Sequence, residues 1–196
     1  MADWTHNDLK TLKFLLKHFE EDHSINQLAK QIGITPKGMH KLLTRLGSQN
    51  ILIAKKIGNG IFYHINFQSE LALAATQLSL FEEIKLPYAK AQAKDLQRLR
   101  PYTQAAILFG SVLDKGERAG DIDVLFILDE RKYDPFKKAL ASLRSLKSKP
   151  IQDIIQTPED LSKNLKKRDK VILDALKNGN VLWGQDILIQ AVKEAI

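Results

Sequence analysis

The sequence predicts an α+β protein with two small domains joined by a helical connector. Helix-like periodicity gives way to a two-stranded pattern within residues 1–67, and a stretch without glycine covers 68–100. Short strand-like runs then alternate with helix-like segments over 101–196, which predicts an α/β domain with helices packed on a small mixed sheet. A chain of 196 residues is long enough for two domains that each bury a modest core.

The composition is that of an ordinary globular protein. Hydrophobic residues make up 44% of the chain and charged residues 27%, which excludes fibrous and disordered classes. The sequence has no apolar run of the roughly 18 to 20 residues that span a bilayer, and its N-terminus lacks the core of a signal peptide. We therefore expect a cytoplasmic protein without a membrane partner. The absence of cysteine excludes disulfides and thiolate metal sites.

The net charge of +7 favours partners that carry phosphate. Residues 1–67 hold nine Lys and Arg against five Asp and Glu, so more than half of the excess charge lies there. All the histidines also lie in this first third, at His6, His18, His23, His40 and His64. Because they are scattered along the chain, we expect them to be solvated or packed rather than to bind a metal.

Three helices and a hairpin are predicted in the first third. The patterns Thr-x-x-Asp at Thr5 and Ser-x-x-Gln at Ser24 are capping boxes that begin the first two helices. Pro36 suits the first position of a third helix, which carries an apolar face on one side and basic residues on the other. The runs ILIAKKI and IFYHINF follow and are joined by the Gly-Asn-Gly turn at 58–60, which favours a hairpin.

This order of elements is that of a winged helix-turn-helix. The segment SINQLAKQIGITPKGMHKLLTRL also resembles the helix-turn-helix of small bacterial and archaeal transcription regulators. The resemblance implies that the third helix enters the major groove and that the hairpin touches the DNA backbone. The residues that it places against double-stranded DNA are Lys37, His40, Lys41, Thr44 and Arg45 on the helix and Lys55 and Lys56 on the hairpin.

Arg45 is the strongest single candidate for a base contact, because a guanidinium can bridge guanine bidentately. A phosphate contact fits its position equally well. The same hydrophobic pattern also produces this fold without DNA binding. In that alternative the basic face is simply solvated, and the domain serves dimerisation or docking to another protein.

The connector over 68–100 reads as two helices on either side of Pro87, which would form an ordered bridge. Its large apolar side chains are Leu71, Leu73, Leu78, Leu80 and Phe81. They can line a homodimer interface, and burial against the neighbouring domains explains them equally well.

The chemistry of the chain is concentrated in its second half. The strand-like run AAILF ends at Gly110-Ser111, and the next run, DIDVLFIL, opens with Asp121 and Asp123. Residues two apart on a strand project to the same face, so these two carboxylates converge and repel each other unless a cation lies between them. Oxygen ligands of this kind suit Mg²⁺ bound together with phosphates. A glycine before a serine lets the backbone approach a phosphate, so the pattern predicts phosphoryl or nucleotidyl transfer.

The stretch LFGSVLDKGERAGDIDVLFIL is similar to the signature of the DNA polymerase β-like nucleotidyltransferase superfamily, and closest to its minimal branch. Gly116 and Glu117 match the Gly-Glu that is usual between the two motifs of that branch. The resemblance implies that Asp121 and Asp123 bind the catalytic Mg²⁺. It implies that Gly110 and Ser111 hold the terminal phosphates of a nucleoside triphosphate.

The resemblance also requires a third acid on an adjacent strand. Asp153 in PIQDIIQ stands at the expected place, where it would bind metal and can act as the general base. The alternative for Asp153 is an ordinary acid in a strand. Gly120 departs from the family, which commonly has a small hydroxyl residue just before the first acid.

Two functions of different kinds follow. The first is a nucleotidyltransferase that moves a nucleoside monophosphate to an acceptor, with a protein partner of the HEPN type as a candidate acceptor. The second is a transcription regulator whose transferase-like domain only senses nucleotide. Transfer to an antibiotic hydroxyl is a weaker alternative, because it gives the basic N-terminal domain no purpose.

Overall fold

The computed structural model describes residues 4–196 and contains helices together with two small sheets, one of two strands and one of four. The protein is therefore α+β, as the sequence predicts. The chain divides into two compact units, the first ending at Leu80 and including Ile196, the second spanning Phe81–Ala195. This boundary falls inside the stretch 68–100, so its two halves belong to different units. Within residues 4–196, no helix has the length and apolar character that crossing a bilayer requires.

The first unit consists of three helices, a hairpin and a fourth helix. They are α1 (His6–Lys17), α2 (Ile25–Ile32), α3 (Pro36–Ser48), β1 (Leu52–Ile57), β2 (Gly60–Ile65) and α4 (Glu70–Ser79). The predicted capping boxes at Thr5 and Ser24 are both present, and Pro36 opens α3. Leucines from α1, α2 and α3 are fully buried and form the core of this unit.

The second unit is built around the four-stranded sheet. Its elements are α5 (Pro87–Leu96), β3 (Ala105–Phe109), α6 (Val112–Lys115), β4 (Ile122–Ile127), α7 (Tyr133–Arg144), β5 (Ile151–Gln156), α8 (Pro158–Lys166), α9 (Lys170–Asn178), β6 (Asn180–Trp183) and α10 (Gln185–Ala195). The strand order is β5-β4-β3-β6. Strand β3 runs antiparallel to β4 and β6, whereas β4 and β5 are parallel, so the sheet is mixed.

The two faces of this sheet are covered by different helices. Leu108, Val124 and Phe126 lie on one face and belong to a core that includes buried residues of α5 and α7. The rings of Phe126 and Phe136 are 5.0 Å apart in that core. Alternation along the strands turns Ile107 to the opposite face, where α8, α9 and α10 pack. The face on which a strand residue lies therefore decides which helices it can meet.

Candidate active site

The predicted acid pair lies at the start of β4. Asp121 directly precedes the strand and Asp123 is its second residue, and both side chains are half-buried. Asp123 is paired with Phe109, the last residue of β3. This register places the acids beside the turn that carries Gly110 and Ser111. The structure thus brings together the two motifs that the sequence singles out.

Gly110 makes a close approach to the acid pair. Its φ angle is 74°, in the region that favours glycine. A Cβ at this position would overlap Asp123 Oδ2 and lie 3.0 Å from Asp123 Cγ. Ser111, which is half-buried, directly precedes α6 and does not use its hydroxyl to cap the helix. That hydroxyl is therefore available to donate to a ligand bound beside Asp123.

The electrostatics of the pair favour a bound cation. Burial raises the pKa of Asp123, and the negative charges of Asp121 and Asp174 raise this pKa further. A cation that binds beside this carboxylate offsets the repulsion and lowers the free energy of its ionised form. The donor set is made of hard oxygen atoms and suits Mg²⁺.

Asp174 contributes to the raised pKa of Asp123, and the sequence gives no sign of it. It lies on α9, is exposed, and accepts a hydrogen bond of 2.7 Å from Asn178. Gly179 lets this helix approach β3, since a Cβ there would clash with Ile107 and with the carbonyl of Ala175. No spacing rule links a residue on α9 to the Asp-x-Asp motif. Only the fold brings the negative charge of Asp174 near enough to help raise the pKa of Asp123.

Asp153 does not join the acid pair. Strand β5 is aligned so that Asp153 pairs with Val124, whereas Gln152 pairs with Asp123. Asp153 therefore lies on the face of the sheet opposite to Asp123. Its side chain, 11% exposed, forms ion pairs with Arg144 and with Lys137, both on α7. The expectation that Asp153 converges with Asp121 and Asp123 is therefore wrong. A shift of one residue in the pairing of β5 with β4 would be needed to turn Asp153 to the face of the sheet that carries Asp123.

The loop before the first acid is fixed by a lysine. Lys149 Nζ donates to the carbonyl of Ala119 at 2.7 Å and also to that of Glu117, and it lies 4.8 Å from the centre of the Tyr88 ring. Gly120 is exposed, its φ is not positive, and a Cβ there would meet no atom within 4 Å. The loop conformation therefore does not require glycine at this departure from the family pattern.

A cavity of about 640 Å³ lies at the other end of the sheet. Gln104, Asp129 and Thr157 line it, and these residues precede β3 or follow β4 and β5. Acidic residues outnumber basic ones around it, which disfavours phosphate groups. This cavity is separate from the acid pair at the start of β4.

The predicted DNA-contacting residues of α3 fall into two groups. Lys37, His40, Lys41 and Thr44 are exposed and recur at helical spacing. Arg45 is instead paired with Asp8, whose side chain is fully buried. Asp8 also accepts a hydrogen bond of 2.9 Å from the backbone of Thr5. The guanidinium of Arg45 thus connects α3 to the start of α1, although the side chain is 40% exposed.

The two lysines of the hairpin project in opposite directions. Lys55 is paired with Phe62 and Lys56 with Ile61, and both lysines are exposed. Adjacent residues on a strand point to opposite faces. Lys55 and Lys56 therefore cannot both point straight at one flat surface.

No protein-family model, curated protein or solved structure matches the chain.

Proposed function

We propose that the second unit is a Mg²⁺-dependent nucleotidyltransferase. The observation that supports this best is the close approach of Gly110 to Asp123. Asp121 directly precedes β4, and its charge and that of Asp174 raise the pKa of Asp123. The site combines a turn where the backbone can approach a phosphate with a carboxylate pair that favours a cation. The resemblance of this stretch to the minimal nucleotidyltransferases supports the same chemistry.

In the proposed reaction, the oxygen of an acceptor hydroxyl bonds to the α-phosphorus of a nucleoside triphosphate and releases its proton. The bond from the α-phosphorus to the bridging oxygen breaks, and pyrophosphate leaves. Mg²⁺ bound by the carboxylates would neutralise phosphate charge and stabilise the leaving group. The backbone at Gly110 and the hydroxyl of Ser111 would hold the terminal phosphates through hydrogen bonds. Asp121 and Asp123 would supply the metal ligands from the rigid start of β4.

Asp174 takes the place of Asp153 as the third acid in this proposal. It lies on α9, which packs on the face of the sheet that carries Asp123. Asp153 is instead ion-paired with Arg144 of α7 on the other face. Gln152, which is level with Asp123, offers a neutral amide. The third negative charge near a bound Mg²⁺ would therefore come from α9.

For the first unit we propose a winged helix-turn-helix that binds double-stranded DNA. The order of three helices and a hairpin supports it, together with the exposed row of Lys37, Lys41 and their neighbours on α3. Arg45 positions α3 against α1 and does not read bases. The alternative is a docking module for another protein.

The candidate acceptor is a protein such as a partner of the HEPN type, which the resemblance to the minimal nucleotidyltransferases implies. The test incubates the purified protein with nucleoside triphosphates labelled at the α-phosphate, Mg²⁺ and the proteins that co-purify with it. Labelled nucleotide covalently attached to a partner supports the enzyme. Triphosphate binding without attachment to any partner or to the protein itself favours a nucleotide sensor.

A further inference from the structure

Three side chains that follow α1 form a compact group of nitrogen and oxygen donors. They are His18, Glu21 and His23, and one ligand atom from each lies within 4.8 Å of the others. His18 Nδ1 is 4.0 Å from Glu21 Oε1, and His23 Nε2 is 3.8 Å from Glu21 Oε2. The turn between α1 and α2 thus brings together two histidines that the sequence leaves apparently scattered.

His23 carries an unpartnered atom that points into this group. The residue is only 9% exposed, and its Nε2 has no hydrogen-bond partner among the described residues. A buried polar nitrogen without a partner costs free energy, so such atoms are rare in folded proteins. A cation between His23 and Glu21 would accept the lone pair of Nε2 and remove this cost.

Phe14 holds the two imidazoles in place. Its ring stacks on His18 at 4.2 Å between centres and contacts His23 at 4.9 Å. The two histidine rings are 5.9 Å apart and nearly perpendicular. The aromatic ring therefore fixes the two imidazoles, while Glu21 is exposed and can adjust.

We propose that His18, Glu21 and His23 bind a divalent transition-metal ion of the Zn²⁺ class. Two imidazole nitrogens and one carboxylate oxygen suit Zn²⁺, whereas Mg²⁺ requires oxygen ligands. In a tetrahedral zinc site the ligand atoms stand about 3.4 Å apart, because zinc–nitrogen bonds are roughly 2.0–2.1 Å long. The two distances to Glu21 exceed this by under about 1 Å, which a rotation of the Glu21 side chain can close. Water would take the fourth position.

This site is independent of the acid pair in the second unit. It uses different ligand types and does not depend on the proposed transferase chemistry. Metal binding would join the end of α1 to the start of α2 and so stabilise the first unit.

The test titrates Zn²⁺ by calorimetry into the full-length, untagged protein after removal of bound metal. The parent protein for this test has both Asp121 and Asp123 replaced by Asn, which removes metal binding at the second unit. One equivalent should bind per chain. Glu21→Gln and His18→Gln should each weaken the affinity at least tenfold, whereas His6→Gln, which changes an exposed histidine outside the group, should not. Co²⁺ should give the intense visible absorption of a four-coordinate site and lose it in Glu21→Gln.

Glu21 is exposed, so Glu21→Gln should remain folded when no metal is present, as a cooperative thermal melt will show. A loss of binding by this folded variant then reports a lost ligand. Zn²⁺ affinity that is unchanged in both Glu21→Gln and His18→Gln would overturn the proposal. Absence of saturable Zn²⁺ binding in the parent would overturn it as well.

Discussion

Gly110 lies so close to the Asp123 carboxylate that position 110 has no space for a Cβ atom. The pairing of Phe109 with Asp123 creates this contact, since it aligns the end of β3 with the start of β4. The glycine also has a φ angle of 74°. Two independent constraints, one steric and one conformational, therefore select glycine next to the acid that the proposed chemistry uses.

Gly110→Ala should destabilise the second unit and disturb the site. The positive φ and the clash with Asp123 together should lower the free energy of unfolding by about 1–3 kcal/mol. Urea denaturation measures this change. Gly120→Ala is the matched control, because a Cβ at Gly120 meets no atom within 4 Å, and its effect should stay within about 0.5 kcal/mol. Equal effects of the two variants would contradict the packing described here.

Mg²⁺ should stabilise the protein through Asp123. The pKa of Asp123 is raised, so the stability that this group contributes is complete below its usual pKa and is lost as pH rises through the higher folded pKa. At neutral pH the ionised Asp123 therefore opposes folding when no metal is bound. Asp123→Asn should not lower the melting temperature without metal.

Thermal melts in Mg²⁺ and in excess chelator measure this effect. Mg²⁺ should raise the melting temperature of the wild-type protein and have a smaller effect on Asp123→Asn. The same increase in both proteins would place the bound metal elsewhere.

Asp153 should prove structural through its ion pair with Arg144. Loss of the carboxylate charge in Asp153→Asn should lower the free energy of unfolding by about 1 kcal/mol, because Arg144 is partly exposed and water screens the pair. A double-mutant cycle with Arg144→Gln isolates the interaction in urea denaturation. Strictly additive effects of the two changes would show that the pair contributes nothing.

Lys37 and Lys41 should carry DNA binding, whereas Arg45 should carry stability. Replacing both lysines by Ala should weaken duplex binding and reduce the slope of affinity against salt by about 2, one for each lost phosphate contact. Lys166→Ala with Lys167→Ala, two exposed lysines of the second unit, removes the same charge and should leave binding unchanged. Equal losses in the two double variants would indicate that only net charge matters.

Arg45→Met should instead lower the free energy of unfolding by about 2 kcal/mol, since Asp8 would remain buried without its partner. Urea denaturation at low salt measures this. A variant that keeps full stability and loses only DNA affinity would restore Arg45 as a DNA contact.

Local rules predicted much of the fold, because the relevant signals lie within a few residues of each other. The capping boxes at Thr5 and Ser24, Pro36 at the start of α3 and the pairing of the Gly-Ser turn with the Asp-x-Asp motif all depend on short spacings.

The face of β5 could not be predicted in the same way. PIQDIIQ has apolar residues at both odd and even positions, so either face could turn inward. The alignment of β5 with β4 determines the face, and it places Asp153 on the side of the sheet where α7 packs. The proximity of Asp174 to Asp123 depends on the packing of α9 against the sheet, and that of His18 to His23 depends on the turn between α1 and α2. The sequence carries no periodic signal for either of them.

The proposed active site is tested most directly by comparing the rates of nucleotide transfer in Asp174→Asn and Asp153→Asn. The assay follows the labelled nucleotide onto the acceptor found with the wild-type protein. Asp123→Asn serves as the inactive reference, and its transfer rate should be lower than that of the wild type by roughly 100-fold or more. Asp174→Asn should lower the transfer rate by roughly tenfold or more, whereas the rate of Asp153→Asn should stay close to that of the wild type. Both variants are assayed well below their melting temperatures. An inactive Asp153→Asn that remains folded, beside a fully active Asp174→Asn, would contradict the site described here.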